Sequence, residues 1–245
     1  MPHRSERHIT LQGSANFRDI GGYSGAEGRS VRWQRLYRSD GLSHLTEDDL
    51  AVLEPIGVTT ILDLRSLDEV TSHGPSTLVA SHGARHHHLP LIRENVSASG
   101  LSELPDLSVM YEEMVEHGSV TIRTVFELLT DDATYPAVVH CTVGKDRTGV
   151  AVALVLRTLG VDDSTIAADY ALTGKAIDRL EAKLAMLRAG AASPIRKDLM
   201  SSDESIMLGF LLTVDTRFGG TEQLLRDAGV PDGAAEQLRA LLLEP

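Results

Sequence analysis

Cysteine occurs once in the 245 residues, at Cys141. A single thiol excludes an internal disulfide framework and any resolving cysteine, and it fits a reducing cytoplasm. Positive charge is scarce too: 23 Lys and Arg against 35 Asp and Glu leave a formal net charge of −12. Nucleic acid wants a basic footprint, so that class of partner is excluded. The acidic excess gives no long-range attraction for an anion, and any capture of one must be local, since the Debye length is about 8 Å at physiological salt. No run of about 18 apolar residues exists, so no transmembrane segment is expected. The first residues, Met1 to Arg7, are polar with no apolar run behind them, which argues against a cleaved signal peptide. The expected location is cytoplasmic, with signal-less secretion left open. No repeat, linker or low-complexity tract divides the chain, and 42% hydrophobic content suffices for one core. One domain over 1–245 is expected.

What is present centres on His140-Cys141-Thr142-Val143-Gly144-Lys145-Asp146-Arg147-Thr148-Gly149. The apolar Tyr135–Val139 run before it reads as a short buried strand. Gly149–Leu156 after it reads as a buried helix. A strand, a tight loop and a helix N-terminus make a phosphate cradle, because backbone N–H groups point inward and the helix dipole favours an anion. Thr142, Val143, Gly144, Lys145 and Thr148 would line it. The same setting, beside Lys145 and Arg147, favours the thiolate of Cys141, which is the nucleophilic form. Arg147 has the planar fork that grips two phosphate oxygens. Thr148 is placed to donate a hydrogen bond to the sulfur as it leaves. The chemistry implied is phosphoryl transfer to sulfur and hydrolysis of the cysteinyl-phosphate. The competing reading is a structural cysteine in a strand–helix turn, and the flanking strand, the apolar helix and the His140-Cys141 start weigh against it.

This loop resembles the signature of the bacterial protein-tyrosine/serine phosphatases, a branch of the cysteine-based phosphatases with Gly-Lys-Asp-Arg-Thr in the loop. Asn16–Tyr23, Leu36–Asp40 and Ile61–Ser66 are similar to that family's upstream landmarks. Asp169–Thr173 and Arg217–Gly220 match its style downstream. The resemblance implies an α/β fold with a mostly parallel central sheet flanked by helices. It also implies a phosphotyrosine-type phosphomonoesterase, with an extended helical C-terminal half whose segment 174–200 either lids the active-site mouth or packs on the sheet. The substrate would be a phosphorylated protein or, as an alternative, a phospholipid headgroup, which the added Lys145 favours. No cofactor and no metal is expected; the oligomeric state is open.

Elsewhere the pattern is readable in pieces. Thr46 reads as an N-cap with acidic residues behind it, ending near Pro55. Val58–Leu64 is a β-branched run, a central strand whose carboxyl end delivers Asp63 and Arg65, where α/β sheets bind ligands. Arg18, Arg38 and Arg65 are candidate helpers in phosphate capture. Arg85–Leu91 reads as a strand with three adjacent histidines, which alternate faces and lack metal-ligand spacing. Helices are expected over 107–117 and 119–130, then over 174–189, 203–217, 221–228 and 232–243.

The general acid has three candidates. Glu94 and Asp106 lie in a separate loop; Asp106 reads better as a helix N-cap. Asp146 sits inside the loop, where repulsion from the phosphate favours its protonated form, and the resembling family carries an aspartate there. Asp146 is the choice. A sulfur-transfer or arsenate-reducing enzyme is disfavoured, the first by the Arg-Thr pair and the second by the lack of resolving cysteines. An inactive phospho-binding module is disfavoured because Cys141 and Arg147 are both present.

Overall fold

The computed structural model describes residues 7–91, 107–187 and 200–245. Its main sheet has five strands: β1 (Arg18–Asp19), β3 (Leu36–Ser39), β4 (Thr60–Asp63), β5 (Arg85–His88) and β6 (Ala137–His140), in the order β1-β3-β6-β4-β5. The three pairings β3–β6, β6–β4 and β4–β5 are parallel; only the edge strand β1 is antiparallel. A separate ribbon pairs β2 (Ser30–Val31) with β7 (Leu243–Glu244). The α/β architecture and mostly parallel sheet expected from the sequence are both present.

The central strands β4 and β6 are mostly apolar because both faces of the sheet are covered. β3, β4 and β6 are buried throughout. Their side chains alternate between two cores, as the period of two requires. Leu36, Leu62, Ala137 and Val139 join the larger core. Tyr37, Ile61 and Val138 join the smaller one with Phe17, Leu42 and Leu53. β5, at the open edge, carries Arg85 and the histidines; such polar, chargeable edge residues discourage pairing with another chain. His86 meets Asp63, and His88 meets the Arg65 carbonyl. Among the described residues no cluster of three or more His, Cys, Asp or Glu side chains is arranged to hold a metal ion.

The helices explain which face is large. α1 (Glu47–Leu53) and α3 (Thr77–His82) lend Leu53 and Leu78 to the smaller core. α1 opens with a capping box in which the Thr46 side chain and Asp49 serve each other's backbone N–H. α2 (Leu67–His73) opens the same way, from Ser66 and Glu69. α4 (Leu107–His117) stops, and α5 (Ser119–Leu129) starts and stops, close to the predicted limits. α6 (Asp146–Thr158) is buried over Arg147–Leu156, so its sequence is apolar on every side rather than striped. It lies against β6 and β3 and is walled by α4, α7 (Asp163–Ala171), α10 (Thr221–Asp227) and α11 (Ala234–Leu242). α9 (Glu204–Phe218) packs on α4 and α7 outside it. α8 (Ile177–Leu187) belongs to neither core; it forms a third cluster near the end of the sheet. No helix among the described residues is long and apolar enough to cross a membrane.

Candidate active site

β3, β6 and β4 run parallel, so their carboxyl ends share one edge of the sheet, and the loop 141–145 springs from the middle strand there. Its neighbours hold it. Gly41 N–H donates to the Thr142 carbonyl at 3.1 Å, and Leu64 N–H to the His140 carbonyl at 2.8 Å. The loop turns at Gly144, whose φ is +71° and where a Cβ would sit 2.4 Å from the Ser39 carbonyl oxygen. Only glycine meets both demands. Cys141 is buried at the start of the loop, and the Gly144 N–H donates to its Sγ at 3.2 Å. A backbone donor aimed at sulfur stabilises the thiolate, as does the α6 N-terminus that begins at Asp146.

Arg147, on the first turn of α6, is held from outside the loop. Both its terminal nitrogens donate to the Glu69 carboxylate, Nη2 to Oε1 at 2.7 Å and Nη1 to Oε2. Burial opposes the Arg147 charge, but Cys141, Glu69 and Asp146 outweigh it and hold the guanidinium above its ordinary range. Burial likewise opposes ionisation of Glu69, yet Arg147 and the Thr142 hydroxyl pull its carboxyl down to about 2. This pair fixes the plane of the guanidinium and leaves Nε without a protein partner among the described residues, so donors remain for an anion. Glu69 does this while capping α2 through the Ser66 N–H. Sequence reasoning missed Glu69. Ser66-x-x-Glu69 was visible as a capping box, but nothing local told of Arg147, 78 positions away.

Asp146 meets two donors at one oxygen. Tyr111 Oη donates to Oδ1 at 2.6 Å, and Lys145 Nζ lies 3.2 Å from it. Oδ2 has no protein partner among the described residues, and the side chain is partly exposed. Burial and the Asp146 carboxylate hold the Tyr111 phenol well above its ordinary value, so it remains a donor. Lys145 is fully buried and its Nζ also donates to the Ser201 carbonyl at 2.8 Å. The Thr148 hydroxyl is buried and has no hydrogen-bond partner among the described residues. Val143 packs against the cluster of Ala15, Ala176, Leu180 and Met200, as do Ile177 and Leu184, which lays α8 beside the loop.

The three helper arginines are engaged elsewhere. Arg18 and Arg38 both pair with the buried Asp169 of α7, at 3.2 and 2.6 Å. Burial opposes ionisation of Asp169, but the two arginines outweigh it and keep it a carboxylate. Burial, with repulsion from Arg38, pulls Arg18 down to about 10, which leaves it charged at neutral pH. Arg38 reaches the loop only at its back, donating to the Gly144 carbonyl at 2.8 Å. Arg65 pairs with Asp63 at 2.6 Å and donates to Ser43 and the Gly74 carbonyl. Asp63 also takes His86 and lies 3.6 Å from Nε2 of the buried His140. Burial, more than any neighbour, pulls His140 down to about 4, so it is neutral beside Cys141. Asp63, Arg65 and Arg18 are thus engaged with partners of their own, whereas the sequence offered the arginines as helpers in phosphate capture. Glu94 and Asp106, the other candidate acids, lie outside the described residues, as does 188–199 of the expected lid segment.

Similarity to known proteins agrees with this geometry. A model of the tyrosine phosphatase family matches residues 9–244. The triple specificity protein phosphatase PtpB of Mycobacterium tuberculosis is 27% identical over 95% of this chain and 98% of its own. A protein provisionally named a tyrosine-protein phosphatase, from Cupriavidus necator, is 30% identical over 87% of this chain and 81% of its own. The core catalytic domain of the PP-IP phosphatase Siw14 from S. cerevisiae, solved with citrate, overlays 67% of this chain and 78% of its own at a TM-score of 0.40 and 17% identity. A family match over nearly the whole chain, with relatives named as phosphatases, means that this protein belongs to the tyrosine phosphatase family and is a cysteine-dependent phosphatase.

Proposed function

We propose that residues 1–245 act as one catalytic domain that hydrolyses phosphotyrosine through a cysteinyl-phosphate intermediate. The observation that carries this is the Gly144 N–H aimed at Sγ of Cys141 from 3.2 Å, at the mouth of α6. Cys141 attacks phosphorus, the phosphate oxygens rest on the loop N–H groups and Arg147, and the leaving oxygen takes a proton from Asp146. Water then releases phosphate, and the unpartnered Thr148 hydroxyl is the group available to meet the departing sulfur. Lys145, the cation that favoured a phospholipid headgroup, is buried against Ser201 and Asp146, which supports a phosphoprotein substrate over a lipid. The relative named for triple specificity makes phosphoserine and phosphothreonine peptides the natural comparison set.

The test is phosphate release from para-nitrophenyl phosphate and from phosphopeptides, with and without EDTA. Cys141→Ser should abolish turnover and retain phosphate binding, since the cradle and Arg147 remain. Wild-type activity should persist in EDTA. Substantial turnover by Cys141→Ser, or loss in EDTA reversed by a divalent ion, would overturn the reading.

A further inference from the structure

The phosphate loop owes its polarity to two peptide planes. In a trans peptide the C=O and the following N–H point in opposite directions. The Gly144 N–H that donates to Sγ shares its plane with the Val143 carbonyl, and the Lys145 N–H shares its plane with the Gly144 carbonyl. Both carbonyls meet one side chain. Asn16 Nδ2 donates to the Val143 oxygen at 3.2 Å and to the Gly144 oxygen at 3.1 Å. Arg38 Nη2 adds a second donor to Gly144.

The orientation of the Asn16 amide is itself determined. Its Oδ1 accepts from Arg18 Nη1, and its Nδ2 also reaches Thr173 Oγ1. A flipped amide would set oxygen against two carbonyls and nitrogen against a guanidinium. Arg18 is in turn held by Asp169, and Asn16 N–H donates to the buried Asp40 carboxylate at 3.0 Å. Asn16 is 2% exposed, so water does not compete for these contacts.

From this arrangement we infer that Asn16 is a positioning residue for catalysis: it holds the 143–144 and 144–145 peptides with their carbonyls outward, and so keeps the cradle's N–H groups turned toward sulfur and phosphate. The role rests on the reading of Cys141 as nucleophile. It is distinct from fold support, because its effect is felt at the thiol, which Asn16 does not touch. The charged and titratable groups on the surrounding elements are Arg147 and Asp146 of α6, Lys145 in the loop, His140 of β6, Glu69 of α2 and Arg38 of β3. Substitution at position 16 leaves all of them in place.

The experiment measures the rate of iodoacetamide inactivation against pH for the wild type, Asn16→Ala and Asn16→Asp, with folding followed by circular dichroism. Asn16→Asp keeps the shape and the contact with Arg18 but loses the amide donors. Asn16→Ala loses them without adding charge. In both, the midpoint of alkylation should rise by about one pH unit, because a donor to the thiolate is released. The competitive inhibition constant of inorganic phosphate should weaken about tenfold. A folded variant that alkylates with the wild-type midpoint overturns the inference, and failure of both variants to fold makes Asn16 structural and overturns it equally. Cys141→Ser separates the two readings. If that variant turns over substrate, the nucleophile assignment fails; if it is dead while the Asn16 variants are unshifted, only the positioning role fails.

Discussion

Burial and a few partners settle the charged side chains in this site, and together they decide what acid does to the protein. His140 titrates near 6.5 when unfolded and is pushed down to about 4 by burial. The native state therefore binds fewer protons, and this contribution to stability is complete above about pH 6.5 and lost as pH falls toward 4. Glu69 has an ordinary value of 4.5 and is held near 2, where Arg147 outweighs the opposing effect of burial. Its contribution is present above about pH 4.5 and lost as pH falls toward 2. Burial pushes the Asp19 carboxyl up to about 6, which acts in the opposite sense over the upper range. The test is therefore a difference: between pH 7 and 4.5 the wild type should lose more melting temperature than His140→Asn, and equal losses would argue against a neutral buried His140. A kinetic prediction concerns Asp146. Asp146→Asn should slow an alkyl phosphate about tenfold more than an aryl phosphate, since protonation matters most for a poor leaving group. Equal slowing of the two substrates would remove Asp146 as the acid.

Elements matter here by where they end. β6 and α6 bracket Cys141; α2 delivers Glu69 from its first turn; α7 delivers Asp169 to Arg18 and Arg38. α8 is different, since Leu180 is its one fully buried residue and it rests on Val143 of the loop. That placement supports α8 as a cover for a thiol with no second cysteine to rescue its sulfenic acid. Leu180→Ala removes packing worth about 2–4 kcal/mol and should loosen the helix. Peroxide should then inactivate the variant faster, by more than its turnover of a small aryl phosphate declines. Equal inactivation rates in two well-folded proteins would leave α8 as ordinary packing.

Over the whole molecule, the net charge of −12 opposes a site built to take a dianion. Most cations near the loop are balanced by Glu69, Asp63, Asp146 and Asp169, so the attraction is short-ranged. Screening should weaken the distant repulsion more than the contacts in the cleft. For a dianionic aryl phosphate, kcat/KM should rise by about twofold as ionic strength goes from about 0.01 to about 0.15 M. A steep fall across that range would show that attraction, not repulsion, governs encounter.

By itself the sequence determined the strand, loop and helix around Cys141, because hydrophobic period, glycine and the loop residues are all local signals. It also determined α4 and α5, whose apolar faces repeat at helical spacing, and the α1 start at Thr46. Tertiary structure alone decided the pairings. Arg38 meets Asp169 across 131 positions and Arg147 meets Glu69 across 78, and no local pattern encodes such a contact. The same distance hid Asn16, which lies 127 and 128 residues from the two carbonyls it meets. Arginines that read as phosphate ligands have carboxylate partners instead, because burial obliges each charge to find one: α7 brings Asp169 to Arg18 and Arg38, and β4 brings Asp63 to Arg65.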